Sequence, residues 1–154
     1  MSGIESNEIL RVLPHRYPFL LVDRIQSCEP GHMIVGWKCV SRRDCTSIGD
    51  HAARMTMPDM LVLEAMAQVA VILTFRTLDL SEAKGQLFFF AGIDKTRFFR
   101  RPRIGDRMVV EARVERLMKS RGIGKFLTCA TIDDEMVSQA TMMAAVKRGI
   151  AESE

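Results

Sequence analysis

Pro58-Asp59-Met60-Leu61-Val62-Leu63-Glu64-Ala65-Met66-Ala67-Gln68-Val69-Ala70-Val71-Ile72-Leu73 is the stretch on which the fold turns. From Met60 onward it is apolar on nearly every residue, with Glu64 the only ionisable interruption and Gln68 one turn later. The pattern predicts a helix from Pro58 to Leu78, in which Pro58 suits a first helical position because its missing N–H costs nothing there. A helix apolar on every side must be buried on every side. In a chain of 154 residues that requires a sheet wrapped around the helix, or a helix shared with a dimer partner.

The flanking sequence supplies the sheet. Upstream, Glu5 to Val12 reads as a short amphipathic helix stopped by Pro14, followed by an extended run from Phe19 to Ile25. A Pro30-Gly31 turn then leads into a strand from His32 to Val40. Downstream, strand patterns cover Gly85 to Gly92, Lys95 to Arg100, Arg107 to Lys119, Ile123 to Asp133 and Glu135 to Val146. Met108, Val110, Ala112 and Val114 alternate with Val109, Glu111, Arg113 and Glu115, and Arg121-Gly122 and Asp133-Asp134 mark hairpin turns. One buried helix followed by a meander of antiparallel strands is an α+β fold, expected as a single domain over residues 1–154.

Composition narrows the function. At 47% hydrophobic and 27% charged the chain is that of an ordinary globular protein. Its net charge of +3 tilts partners toward anions. Aromatic residues make up 6% and do not interleave with the basic ones, so a nucleic-acid partner is not expected. Cys28, Cys39, Cys45 and Cys129 form no CxxC pair and the histidines do not bracket them, which argues against a zinc site. No secretory signal opens the sequence, so reduced thiols in a cytoplasm are expected. The charge-free apolar run from Ala65 to Phe75 is shorter than the roughly 20 residues of a membrane span.

Glu64 and three histidines are the candidates for acid–base work. A carboxylate in an apolar helix must be neutral, paired or facing a cavity. Such groups are frequent in functional sites, although a structural pair with an arginine would explain it as well. Gln68 lies on the same face at i+4 and can hydrogen-bond Glu64. His51 precedes the helix by a short loop and makes a plausible base for an acid on that helix, the alternative being a surface residue. His15, between Pro14 and Arg16, reads as a structural turn residue, and His32 as solvent-exposed.

Leu13-Pro14-His15-Arg16-Tyr17-Pro18-Phe19-Leu20-Leu21-Val22-Asp23-Arg24 resembles the N-terminal signature of the bacterial 3-hydroxyacyl-acyl-carrier-protein dehydratases. Met57-Pro58 with Glu64-Ala65-Met66-Ala67-Gln68 is similar to that family's central helix, and Phe90-Ala91-Gly92-Ile93-Asp94-Lys95, Arg97-Phe98 and Gly105-Asp106 are similar to its later blocks. The likeness runs from about Ile9 to Val146. It implies a hotdog fold, a long helix wrapped by an antiparallel sheet, in homodimers whose sheets join and which commonly form a trimer of dimers.

The resemblance also implies a chemistry. His51 would take the C2 proton of a 3-hydroxyacyl thioester, and Glu64 from the other subunit would protonate the departing C3 hydroxyl. Pro58 and Asp59 at the helix start, and Gln68 beside the acid, are the positions expected to contact substrate, with the thioester oxygen at the helix N-terminus. The acyl tail would enter a tunnel between helix and sheet. No metal or redox cofactor is required. The implied partner is acyl carrier protein, an acidic molecule suited to Lys95, Arg97, Arg100, Arg101 and Arg103.

Three features depart from the family. Gly49-Asp50-His51-Ala52-Ala53 stands where the family has Gly-His-Phe-Pro, the loop from His51 to Glu64 is one residue shorter, and Asp59 replaces the Gly after Met57-Pro58. Asp59 adds bulk and negative charge where an oxyanion would form, although an acidic residue also suits a first helical turn. A hotdog acyl thioesterase and a non-catalytic acyl-binding or partner subunit are therefore the alternative functions, distinguished by release of free thiol and by a retained acyl ligand without turnover.

Overall fold

The computed structural model describes residues 2–4, 6–46, 55–80 and 86–148. Among them, β1 (Ser2–Ile4), α1 (Ser6–Val12), β2 (Arg24–Glu29) and β3 (Met33–Cys39) precede the long helix α2 (Asp59–Thr77). β4 (Gln86–Phe98), β5 (Arg107–Met118), β6 (Ile123–Ile132) and β7 (Glu135–Arg148) follow it. The strands form one sheet in the order β1-β2-β3-β5-β6-β7-β4, with every pairing antiparallel. This is the hotdog fold expected from the sequence, with β4 at one edge.

α2 packs against β3, β5, β6 and β7. From Val62 to Phe75 every residue except Glu64 is buried, which explains why the helix shows no polar stripe. By length and composition α2 would also suit a membrane span, but most of it is buried inside the fold. Its lining comes from alternate strand positions, with Met108, Val110 and Ala112 of β5 and Phe126 and Ala130 of β6 all buried. Phe75 stacks on Phe88 with ring centroids 4.4 Å apart, joining the end of α2 to β4.

The turn chemistry follows the residues. Asp133 and Asp134 both take positive φ, at 51° and 63°, as a two-residue primed hairpin turn requires. Gly122 also has a positive φ of 63°, and a Cβ there would stand 2.6 Å from the Val146 carbonyl oxygen, so only glycine fits.

Three boundaries differ from the sequence reading. Pro58 is the N-cap rather than the first helical residue, with an extended ψ of 143° and a carbonyl that accepts from Leu61 and Val62. The two runs expected at 85–92 and 95–100 form the single strand β4, because register shifts at Phe90/Gly92 and Asp94/Arg97 absorb the irregular residues without ending the ladder. The extended run from Phe19 becomes a strand only at Arg24, since Phe19 and Leu21 bond to a side chain of α2 rather than to a neighbouring strand.

Candidate active site

Gln68 organises the centre of the site. It is 1% exposed, and a buried amide must find partners for both its ends. Its Oε1 accepts from the Leu21 N–H at 2.9 Å, while its Nε2 donates to the Phe19 carbonyl at 2.7 Å and to Glu64 Oε1 at 2.8 Å. The i+4 spacing thus places Gln68 against Glu64, as the sequence suggested. Because an amide N–H only donates, Glu64 Oε1 serves as an acceptor, and a proton on a neutral Glu64 belongs on Oε2. The Glu64 side chain is 36% exposed, so it faces outward from the helix rather than lying in the core.

His15, expected as a structural turn residue, lies beside Glu64. Its Nε2 lies 3.3 Å from Glu64 Oε1, and its Nδ1 is buried with no hydrogen-bond partner among the described residues. The turn carrying it is tied down by Arg16, whose guanidinium donates to the carbonyls of Leu10, Leu13 and His15 at the end of α1. The signal in the sequence was the motif around Pro14, but nothing local links it to a helix some fifty residues on. His51 lies outside the described residues. His32 is exposed and pairs only with Glu29, at 3.3 Å.

The entry to α2 is the second part of the site. Thr56 bridges Thr46 on one side and Arg103 on the other, and the Met57 N–H donates to the Pro102 carbonyl at 2.9 Å. These bonds staple the segment after β4 to the start of the helix. With Leu61 and Val62 turned onto Pro58, the N–H groups of Asp59 and Met60 have no backbone partner among the described residues. The Asp59 carboxylate is held by Arg101 through two hydrogen bonds, from Nε to Oδ1 and from Nη2 to Oδ2, each 3.0 Å. Thr56, Arg100, Arg101, Arg103 and Asp106 line an open cleft of about 590 Å³ beside this pair. Lys95 does not share it; that residue lines a separate cleft on the outer face of the sheet with Glu111, Arg113 and Cys129.

Several other titratable groups serve the fold. Burial pushes the Cys28 thiol up to about 11 and raises Cys129 and Cys45 as well, which keeps these three as thiols rather than nucleophilic thiolates. Lys38 and Asp44, 7% and 8% exposed, form an ion pair at 3.1 Å. Burial pushes the Asp44 carboxyl up, but hydrogen bonds from Ser41 and Lys38 outweigh it and leave it below its ordinary value.

Fold and site together define a class: a hotdog protein whose central helix carries a carboxylate clamped by an amide, within two turns of a helix N-terminus whose first N–H groups have no backbone partner among the described residues. The FabA-like domain family matches residues 13–141. The 3-hydroxyacyl-[acyl-carrier-protein] dehydratase FabZ of Haemophilus influenzae is 42% identical over 142 residues, covering 92% of this chain and 93% of that one. The FabZ of Nitrosomonas europaea is 38% identical over 144 residues, covering 94% and 93%. The chain belongs to the FabA-like family and, within it, to the FabZ group. Among solved structures, the dehydratase heterocomplex ApeI:P from Xenorhabdus doucetiae superposes with a TM-score of 0.73 at 16% identity, covering 90% of both chains. The smu.793 protein of Streptococcus mutans, bound to acetyl CoA, gives 0.66 at 15%, covering 89% of this chain and 97% of that one. At those identities the structures speak for the fold alone.

Proposed function

We propose that this protein removes water from 3-hydroxyacyl thioesters carried on acyl carrier protein, giving trans-2-enoyl thioesters for fatty-acid synthesis in the cytoplasm. The observation that carries this reading is Glu64, fixed by Gln68 on a helix whose N-terminal N–H groups are open. In the reaction His51 takes the C2 proton, the C2–C3 double bond forms, and the C3–O bond breaks as Glu64 supplies the proton that turns hydroxyl into water. The negative charge that develops on the thioester oxygen meets the N–H groups of Asp59 and Met60 and the positive end of the helix dipole. His15 stays beside Glu64 Oε1, its Nε2 3.3 Å away.

His51 is assigned to the opposite protomer of a homodimer. Support comes from β4, an edge strand on which Phe89, Ile93 and Phe98 are each 41% exposed. An unpaired strand edge with apolar side chains is a template for pairing with a second chain, and joining two β4 strands would pair it. Further assembly into a trimer of dimers belongs to the same proposal.

The test is hydration of crotonyl thioester by the purified protein beside Glu64→Gln and His51→Ala. Turnover lost in both supports the assignment. Turnover that survives His51→Ala but not His15→Ala would move the base to His15, and release of free thiol would mark a thioesterase instead. The carrier protein is assigned to the cleft of Arg100 and Arg103. Reversing both charges is expected to raise KM for carrier-bound substrate roughly tenfold and to leave pantetheine thioesters unaffected; equal effects on both substrates would remove the assignment.

A further inference from the structure

We propose that Arg101 is a positioning residue for the thioester end of the site, where it offsets the charge of Asp59 so that the two residues work as one unit. This rests on the dehydratase reading above. Asp59 occupies the first turn of α2, next to the N–H groups to which the substrate oxygen is assigned. A free carboxylate at that place opposes the charge that develops in the transition state. The structure does not leave it free: both of its oxygens are engaged by the Arg101 guanidinium at 3.0 Å, in the paired geometry that arginine alone among side chains offers.

The backbone holds the two partners in place. Residue 101 comes 42 positions after Asp59, and it reaches the helix because Pro102 accepts from the Met57 N–H and Arg103 bridges Thr56. Arg100 binds Glu135 at 2.5 Å and lies 3.9 Å from Asp106, and the Arg103 backbone N–H donates to Asp106. Among the described residues Arg101 is the arginine whose guanidinium is bonded to the helix start. Removal of its charge should harm catalysis only while Asp59 carries its own, a dependence that neither a docking role nor a folding role would produce.

The experiment is a double-mutant cycle of Arg101→Gln and Asp59→Asn, read on crotonyl pantetheine, a thioester without phosphate or carrier protein. Arg101→Gln alone is expected to lower kcat about tenfold, with KM within about twofold, because the lost compensation acts on the transition state. In the Asp59→Asn background the same change should cost less than about twofold in kcat. Arg101→Lys, which keeps the charge without the paired bonds, should recover only part of the single-variant loss, and about 0.5 M salt should narrow it, since the pair is exposed to solvent. Equal losses in both backgrounds, or no loss in either, would overturn the proposal. A rise in KM confined to carrier-bound substrate would make Arg101 a docking residue instead. Absence of turnover in all four proteins would refute the dehydratase reading and this inference with it, whereas turnover with simple additivity would refute this inference alone. Matching thermal unfolding curves across the four guard against a folding defect.

Discussion

The two halves of α2 are made of similar apolar residues and do different work. From Ala65 to Phe75 every side chain is buried, and Ala65, Met66, Ala70, Ile72, Leu73 and Phe75 are wholly enclosed by the sheet. In the first turns Met60 is 70% exposed, the Asp59 carboxylate is tied to an arginine from another segment, and Glu64 looks outward past the core. One half secures the fold and the other presents polar groups at the rim. The same rod serves both because a helix that is fixed along most of its length can hold its free end still. That rigidity is what a site needs if its groups are to meet a transition state without reorganising.

The largest test of this division is Glu64→Gln. The change keeps shape and removes the proposed acid, so kcat should fall by roughly 10²–10⁴ while the unfolding midpoint in urea stays near that of the parent. A large loss of stability from this half-exposed position would mean that Glu64 belongs to the core half after all. Phe75→Ala probes the other side. It deletes a wholly buried ring stacked on Phe88, and unfolding in urea should show a loss of about 3–5 kcal/mol. Activity per folded molecule should hold, because Phe75 lies three turns from Glu64. A fall in kcat larger than the loss of folded protein would erase the boundary between the halves.

The division is only partly visible in the sequence. The helix and its burial follow from composition, and the Glu64–Gln68 pair from its i+4 spacing, because both are local. What escaped was set by long-range packing. His15 reaches Glu64 only because Gln68 bonds to Phe19 and Leu21 and draws the N-terminal segment onto the helix. Arg101 reaches Asp59 only because the segment after β4 is stapled at Met57 and Thr56. Two separate strands were read where β4 is one, since bulges at Gly92 and near Lys95 look like breaks in a pattern of alternation. The residues were legible as candidates; their partners depended on which segments meet, and spacing along the chain carries no record of that.

Gln68 sits at the seam between the halves, and its replacement should be felt on both sides. Gln68→Leu keeps the volume and removes three hydrogen bonds. Two of them satisfy backbone groups of Phe19 and Leu21, and leaving the buried Leu21 N–H and the part-buried Phe19 carbonyl without that partner should cost about 1–3 kcal/mol of stability. The third fixes Glu64 Oε1, so the acid gains freedom to turn away from the substrate and kcat should drop about tenfold. The two effects can be separated. Gln68→Glu restores an acceptor for the Leu21 N–H but puts a second carboxyl against Glu64, which should recover part of the stability and none of the rate. Recovery of both would mean that Gln68 acts only as a structural clamp and that Glu64 needs no partner to hold its position. Recovery of neither would place the N-terminal segment itself, with His15, in control of the acid.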